Sequence, residues 1–380
     1  MSAAKRIGID ARWIFQEKTG IGEYTFCLLQ AIAQIDQRNQ YYIIFQSDQL
    51  RREIWEKLAL NTKHNFHTVM VRCGVFSLLG QLLLPYRLKK MKLDVYHSTN
   101  FMIPFLYKPC SVITTFHDLI PFLFPEYAPK SKKSRFLIIY KWIVRRIIKK
   151  ADYIIVDSTN SKKDMLKSFK ISEDKIGIVL LGVSDKFMKQ IPTCDLAQKF
   201  SIGTPYFLYV GRFDPYKNIM GLLRAFSRAR NDFLKDHHLV IVGPHDPRYR
   251  EVNDYITREG LVGVVHTTGY VDDDALVEIY RCAQALILPS FYEGFGLPIL
   301  EAFISRIPVI ASNVASLPEV MGSAGIQVNP ENQQELANAM VNIAQDEDLR
   351  QKLIKKGLER LEHFSWRKAA ECTIKIYETL

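Results

Sequence analysis

The chain has 380 residues, more than one hydrophobic core usually fills, so two domains of about 150 to 200 residues are expected. With 48% hydrophobic, 24% charged and 12% aromatic residues it falls in the ordinary globular range, which excludes disordered, collagen-like and disulfide-scaffold classes. The net charge of +11 is unevenly spread: residues 1–190 hold 31 Lys and Arg against 16 Asp and Glu, and residues 191–380 hold 20 against 24, so an anionic partner is expected for the first half, whether membrane lipid, nucleic acid or a phosphorylated substrate.

Lys5-Arg6-Ile7-Gly8-Ile9-Asp10 reads as a strand near the start, with no signal-peptide apolar region before it, and a reducing cytosolic setting is expected. Further strands are expected at 41–45, 67–71, 95–97, 111–116, 153–157 and 176–180. Helices between them are expected at 22–35, 50–60, 78–90, 130–150 and 161–169. The most apolar window, 75–86, is interrupted by Gly80, Gln81 and Pro85 and is shorter than the roughly 20 residues of a membrane span. After a polar, proline-containing stretch around 189–204 the pattern restarts, with strands at 206–210, 238–242, 264–267, 285–288, 309–311 and 325–328. Its helices fall at 219–230, 248–258, 273–283, 297–304 and 333–344, and two more at 346–362 and 366–380 close the chain. Such alternation is the signature of βαβ units, so the fold class is α/β, with two Rossmann-like doubly wound domains. Their expected extents are 1–190 and 195–362, with a final helix at 363–380 able to pack back on the first. In paired domains of this kind a cleft facing the strand ends is the expected ligand site.

Cys27, Cys73, Cys110, Cys194, Cys282 and Cys372 are scattered with no C-x-x-C pair, which suggests neither a zinc site nor a disulfide framework. Thr19-Gly20-Ile21-Gly22 leads into the first helix, where glycines permit an anion close to the helix start; plain turn glycines read equally well, and Thr25 stands where a dinucleotide fingerprint has its third glycine. Val210-Gly211-Arg212 to Lys217-Asn218 places two cations after a strand, suited to a diphosphate or else two solvated loop charges. Pro289-Ser290 through Glu293-Gly294-Phe295-Gly296-Leu297-Pro298 to Glu301-Ala302 is the most specific stretch. It sets loop amides and a carboxylate at a helix start, suiting a polyhydroxyl group beside a phosphate. Asp272-Asp273-Asp274 opens a helix and is read as an N-cap rather than a metal site.

Taken together, these motifs, with Pro308-Val309-Ile310-Ala311-Ser312 and Leu317-Pro318-Glu319-Val320, resemble the retaining GT-B glycosyltransferases of family 4, also called glycosyl transferases group 1, over nearly the whole chain. Arg306, where the family usually has glycine, departs from the pattern. The resemblance implies the GT-B fold, two Rossmann-like domains facing each other across a cleft. It also implies hexosyl transfer from a nucleotide diphosphate sugar, GDP- or UDP-linked, with no metal and no cofactor. It assigns Arg212 and Lys217 to the diphosphate, Glu301 to the ribose, and Glu293 to the donor sugar beside the Gly294, Phe295 and Gly296 amides. Gly20 and Gly22 fall beside the diphosphate, and His117 of the His117-Asp118-Leu119-Ile120-Pro121 run lies near the reaction centre. His97 and Asn100 are expected to line an acceptor pocket, the other reading being a polar strand end. The pattern is closest to mannosyltransferase-like members, acting in cell-surface polysaccharide or glycolipid synthesis.

Residues 130–150 carry nine Lys and Arg and no acid. On a helix, Phe136, Ile139, Tyr140, Ile143 and Ile147 are expected to face the core. Arg135, Lys141, Arg145, Arg146 and Lys149 lie opposite with Ile138 and Trp142 among them, a pattern suited to an anionic membrane surface on the inner face of the plasma membrane, where a lipid-linked glycan acceptor would sit, or to a solvated basic face. Two competing readings stand beside the transferase: a nucleotide-sugar epimerase of the same architecture, and a non-enzymatic anion- or lipid-binding protein. Nucleic acid is not the expected partner.

Overall fold

The computed structural model describes residues 3–17, 19–127, 137–189, 199–244 and 246–380. Contacts divide the chain into two compact units, one of Met1–Leu119, Phe136–Gly182 and Ser365–Leu380, the other of Ile120–Arg135 and Val183–Phe364.

The first unit is built on a seven-stranded parallel sheet of β1 (Arg6–Asp10), β2 (Gln40–Phe45), β3 (Phe66–Met70), β4 (Val95–Ser98), β5 (Ser111–Phe116), β6 (Tyr153–Val156) and β7 (Ile176–Ile178), in the order β3-β2-β1-β4-β5-β6-β7. Parallel strands need crossovers, and the helices Gly20–Ile35, Asp48–Lys57, Gly80–Lys90, Leu137–Lys150 and Thr159–Ser168 supply five of the six, β4 and β5 being joined by a segment without helix. Sheets covered on both faces read as continuous apolar runs, and Ile7, Ile9, Ile43, Ile44, Val112, Ile113 and Ile155 are accordingly buried. The helix Trp366–Thr379 belongs to this unit and packs on Gly20–Ile35, with Tyr377 fully buried.

The second unit has a six-stranded parallel sheet, β8 (Tyr206–Val210), β9 (His238–Val242), β10 (Val265–Gly269), β11 (Ala285–Leu288), β12 (Val309–Ser312) and β13 (Ile326–Val328), in the order β10-β9-β8-β11-β12-β13. Leu222, Leu223 and Phe226 of the helix Ile219–Asp232 pack with Leu336, Met340 and Ile343 of Gln333–Gln345 in its core. In each sheet the strand order reverses once, between β1 and β4 and between β8 and β11. The carboxyl ends of strands beside such a reversal are where open α/β sheets take ligands, so attention falls on Asp10 and Ser98 in one unit and Val210 and Leu288 in the other.

Three expectations need correction. In Leu137–Lys150 the buried side is Val144, Ile147 and Ile148 with Tyr140 partly covered, while Ile139, expected in the core, is 53% exposed. Phe136 and Arg135 lie outside the described residues. The predicted helix at 78–90 begins two residues later and shows an apolar side to solvent. Cys27, Cys73, Cys110 and Cys372 are free thiols, whereas Cys282 is disulfide-bonded.

Candidate active site

In the second unit, the loop after β8 is locked before it delivers its cations. The Tyr209 hydroxyl donates to the Arg212 carbonyl at 2.9 Å, and the Arg212 guanidinium bonds Asp214, 3.0 Å away, whose other oxygen accepts from Tyr249 at 2.9 Å. Asp214 is buried, while the Arg212 side chain is 57% exposed, so its guanidinium is tethered at one edge and open to an anion at another. Lys217 ends a short helical turn closed by Asn218, which adopts φ 57°. The Asn218 amide donates to the carbonyls of Pro289 and Pro330 at 3.1 and 2.8 Å and its oxygen accepts from Gly221 at 3.2 Å, which stitches this turn to the end of β11. That is the physical reason for the Lys-Asn pairing.

Lys217 Nζ donates to both oxygens of Glu293, at 2.7 and 2.9 Å, and the Ser290 hydroxyl donates to the same carboxylate at 2.7 Å. The pair is mostly withdrawn from water, with side chains 14% and 11% exposed. The glycine loop behind Glu293 is pinned by the Ser316 hydroxyl, within 2.9 and 2.8 Å of the carbonyls of Glu293 and Phe295. Gly296 has φ +112°, and a Cβ there would lie 2.8 Å from Leu317, so only glycine can turn the chain into the helix Leu297–Ile304. Pro298 in that first turn suits a position that donates no intrahelical hydrogen bond. Glu301 follows on the same helix, its Oε2 accepting from the Tyr280 hydroxyl at 2.6 Å, which fixes the carboxylate's orientation. Burial, then the Glu301 charge, drives the Tyr280 hydroxyl far above its usual range, so it stays a donor.

In the first unit, Thr19 caps the helix Gly20–Ile35, and its hydroxyl accepts from the Gly22 amide at 3.1 Å. Gly22 lies against Thr19, Trp13 and Ile14, whereas Gly20 has open space where a side chain would be. His117 follows β5. Its Nδ1 lies 2.6 Å from Asp157 and its Nε2 3.0 Å from the Thr99 carbonyl. Both partners are acceptors, which favours the doubly protonated ring with each nitrogen donating. Burial alone would lower its pKa, but the Asp157 charge and hydrogen bond, with the Thr99 carbonyl, raise it above the ordinary value. Asp157, not the adjacent Asp118, orients this ring.

His97 belongs elsewhere. It has no exposed surface, and its Nδ1 meets the Tyr377 hydroxyl at 2.7 Å and its Nε2 the Thr115 hydroxyl at 2.9 Å. Thr115 in turn reaches the Tyr24 hydroxyl at 3.1 Å. Burial first, then the His117 charge, holds the His97 pKa down to about 3, so it is a neutral structural link and not the acceptor contact expected of it. Asn100 is 7% exposed and spends its Oδ1 on the Phe101 amide at 2.8 Å, so it shapes the turn after β4. Asp272 caps its helix through the Ala275 amide at 2.8 Å, and Asp273 and Asp274 pair with Lys186 and Lys189.

Asp157, Tyr249, Tyr280 and Ser316 were missed because their partners lie 21 to 40 residues away in sequence, and Asp214 because its neighbour Arg212 drew attention only as a cation; Asp157 alone, a polar residue at a predicted strand's carboxyl end, carried a signal that could have found it.

A family model described as Glycosyl transferases group 1 matches residues 196–360, and one described as Glycosyltransferase Family 4 matches residues 20–187. The chain is 30% identical over 381 residues, 95% of its length and 96% of the other's, to a protein named O-antigen chain mannosyltransferase B from Escherichia coli. Its fold is similar to that of HepE from Anabaena in complex with UDP and glucose, with 17% identity, a TM-score of 0.76 and coverage of 99% of this chain and 100% of that one. It is also similar to WaaG, described as a glycosyltransferase involved in lipopolysaccharide biosynthesis, with 16% identity, a TM-score of 0.72 and coverage of 98% and 99%.

Proposed function

From the premise that the chain belongs to the glycosyl transferases group 1, family 4, with a GT-B fold, we propose that it moves mannose from a GDP- or UDP-linked donor to a glycan or lipid-linked glycan acceptor, with retention, in cell-surface polysaccharide synthesis. The name of the E. coli relative supports mannose and the polysaccharide product. The observation that carries the reading is the convergence of Arg212, Lys217 and Glu293 at the reversal point between β8 and β11.

In this proposal Arg212 and Lys217, rather than a metal ion or cofactor, balance the diphosphate as its bond to the sugar breaks. Fixed cations in a partly dry site stabilise developing charge without having to reorganise, usually the largest catalytic contribution. Lys217 exchanges Glu293 for phosphate oxygens, and the freed carboxylate, still held by Ser290, accepts from sugar hydroxyls. Glu301, oriented by Tyr280, accepts from the ribose. No side-chain nucleophile is assigned; the departing phosphate takes the acceptor's proton. We assign Gly20 and Gly22 to donor oxygens and the reaction to the cytoplasmic face of the membrane; His117, whose ring nitrogens are taken by Asp157 and the Thr99 carbonyl, is assigned to the donor through its charge rather than a hydrogen bond.

Thermal shift and turnover with a panel of UDP-, GDP-, ADP- and TDP-sugars test this, with Lys217→Ala and Glu301→Ala beside wild type. The expected result is stabilisation by one sugar nucleotide, lost in both variants. Failure of every sugar nucleotide to stabilise a folded protein would overturn the reading.

A further inference from the structure

The helix Gly80–Lys90 is apolar on two sides. Gln81, Leu84, Pro85 and Leu88 are buried, while Leu79, Leu82, Leu83 and Tyr86, at the i, i+3, i+4 and i+7 positions of one stripe, are 57%, 65%, 42% and 63% exposed, with Leu78 beside them at 83%. A soluble helix buries its apolar stripe and shows a polar one; here the outward stripe is the apolar one, and it runs on into Lys89 and Lys90. Leu137–Lys150 repeats the pattern: Ile138 and Trp142 are exposed, and the same stripe continues into Arg145, Arg146 and Lys149.

The two stripes belong to one surface. Phe101 bridges Phe76, 6.0 Å away between ring centroids, and Tyr140, at 5.9 Å. Gln81 donates to the Ile103 carbonyl at 3.2 Å and accepts from the Phe105 amide at 3.0 Å, and the Phe105 ring meets Trp142 at 6.3 Å. Leu106 and Tyr107, half exposed, extend the patch. Neither 75–93 nor 137–150 contains an acid, and cations cluster toward the end of each. The neighbouring acids are turned to the sheet: Asp94 accepts from the Arg6 amide and Asp152 from the Val112 amide and Lys108.

We propose that this face, centred on Leu78, Leu79, Leu82, Leu83, Ile138 and Trp142, inserts into an anionic bilayer leaflet. Scattered exposed leucines need no explanation, but a contiguous patch with a cationic rim on both helices matches a surface that is apolar below its phosphates and negative at them. The Gly80–Lys90 helix supplies the deeper wedge and the basic ends of both helices the headgroup contacts. The proposal rests on the lipid-linked acceptor reading above and adds where such a lipid would be met: the loop that seats Phe105 against Trp142 begins at Thr99, whose carbonyl receives His117.

Sedimentation with phosphatidylglycerol/phosphatidylethanolamine vesicles and with phosphatidylcholine vesicles tests it, for wild type, Leu78→Asp/Leu82→Asp and Arg87→Gln/Lys89→Gln/Lys90→Gln. These side chains are exposed, so folding should survive, as circular dichroism and thermal unfolding would verify. Wild type should bind the anionic vesicles at least about tenfold better than the neutral ones, and each variant should lose about tenfold or more. The charge variant's remaining binding should resist high salt, and the Asp variant's should not. No binding by wild type, or undiminished binding by Leu78→Asp/Leu82→Asp, would overturn the proposal. So would a concentration-dependent dimer abolished by the same Asp substitutions without vesicle binding, since the occupant would then be a second copy. Donor binding in solution is read separately, so failure of either reading is distinguishable from failure of the other.

Discussion

Replacing Glu293 by Gln separates two tasks that the Lys217–Glu293 pair combines. The carboxylate accepts from Lys217 at 2.7 and 2.9 Å and from Ser290 at 2.7 Å. Gln keeps the shape and one acceptor but loses the charge. An ammonium stranded in a deep interior costs about 3–5 kcal/mol; with the two side chains 14% and 11% exposed, solvent recovers part of that, and about 1–3 kcal/mol is expected here. This penalty falls on the unliganded protein and is relieved when a diphosphate gives Lys217 a new counter-charge. Wild type, by contrast, must break its own ion pair to bind. Glu293→Gln is therefore expected to lower the melting temperature without ligand, yet to bind the nucleoside diphosphate up to about tenfold more tightly, about 1.4 kcal/mol. Sugar turnover should fall by about a hundredfold. Titration calorimetry and thermal shift with GDP and UDP, for wild type, Glu293→Gln and Lys217→Ala, measure binding and stability, and turnover of the stabilising sugar nucleotide measures the rate. If Glu293→Gln weakened nucleotide binding as much as Lys217→Ala does, the idea that the carboxylate holds the cation in reserve would be refuted.

Because His97 stays neutral in the fold down to about pH 3 while an unfolded histidine takes its proton near 6.5, the protein should lose stability as pH falls through that window, by up to roughly 1.4 kcal/mol per unit. His97→Gln should flatten that slope in urea titrations at several pH values, and an unchanged slope would count against the assignment. His117 has the opposite sign: its raised pKa contributes stability that is complete below about pH 6.5 and fades as pH rises through its folded value. Asp157→Asn removes the strongest influence opposing burial, so the His117 resonance in spectra of ring-labelled histidine should titrate lower than in wild type; a midpoint left in place would show that Asp157 does not set it. Gly296→Ala should cost about 1–3 kcal/mol from its positive φ and the approach of Leu317, read as a fall in melting temperature; a variant as stable as wild type would mean the loop can turn another way.

Strands buried on both faces were legible because β8, β9 and β11 are unbroken apolar runs, and the Glu293 to Glu301 stretch was legible because glycine and proline mark its turn. What the sequence hid was partnership. His97 looked like a strand-end ligand because Thr115 and Tyr377 are distant in the chain, and a histidine flanked by hydroxyls and one flanked by solvent have the same letter. Ile139 was placed inward by helical period alone. A helix with apolar residues all round offers no period by which to tell its buried side, so the outward row on Gly80–Lys90 was equally invisible.

The helix Trp366–Thr379 completes the first unit, although residues 183–364 separate it from the rest of that unit in the chain. On a ribosome, β1 to β7 therefore emerge long before Tyr377, which must arrive last to give His97 Nδ1 its partner, while Nε2 can already meet the Thr115 hydroxyl. Until then the first unit carries an unsealed seam along Gly20–Ile35, while the second unit can finish on its own. A nascent chain stalled or cleaved before residue 366 should consequently contain a folded second unit beside a protease-sensitive first one.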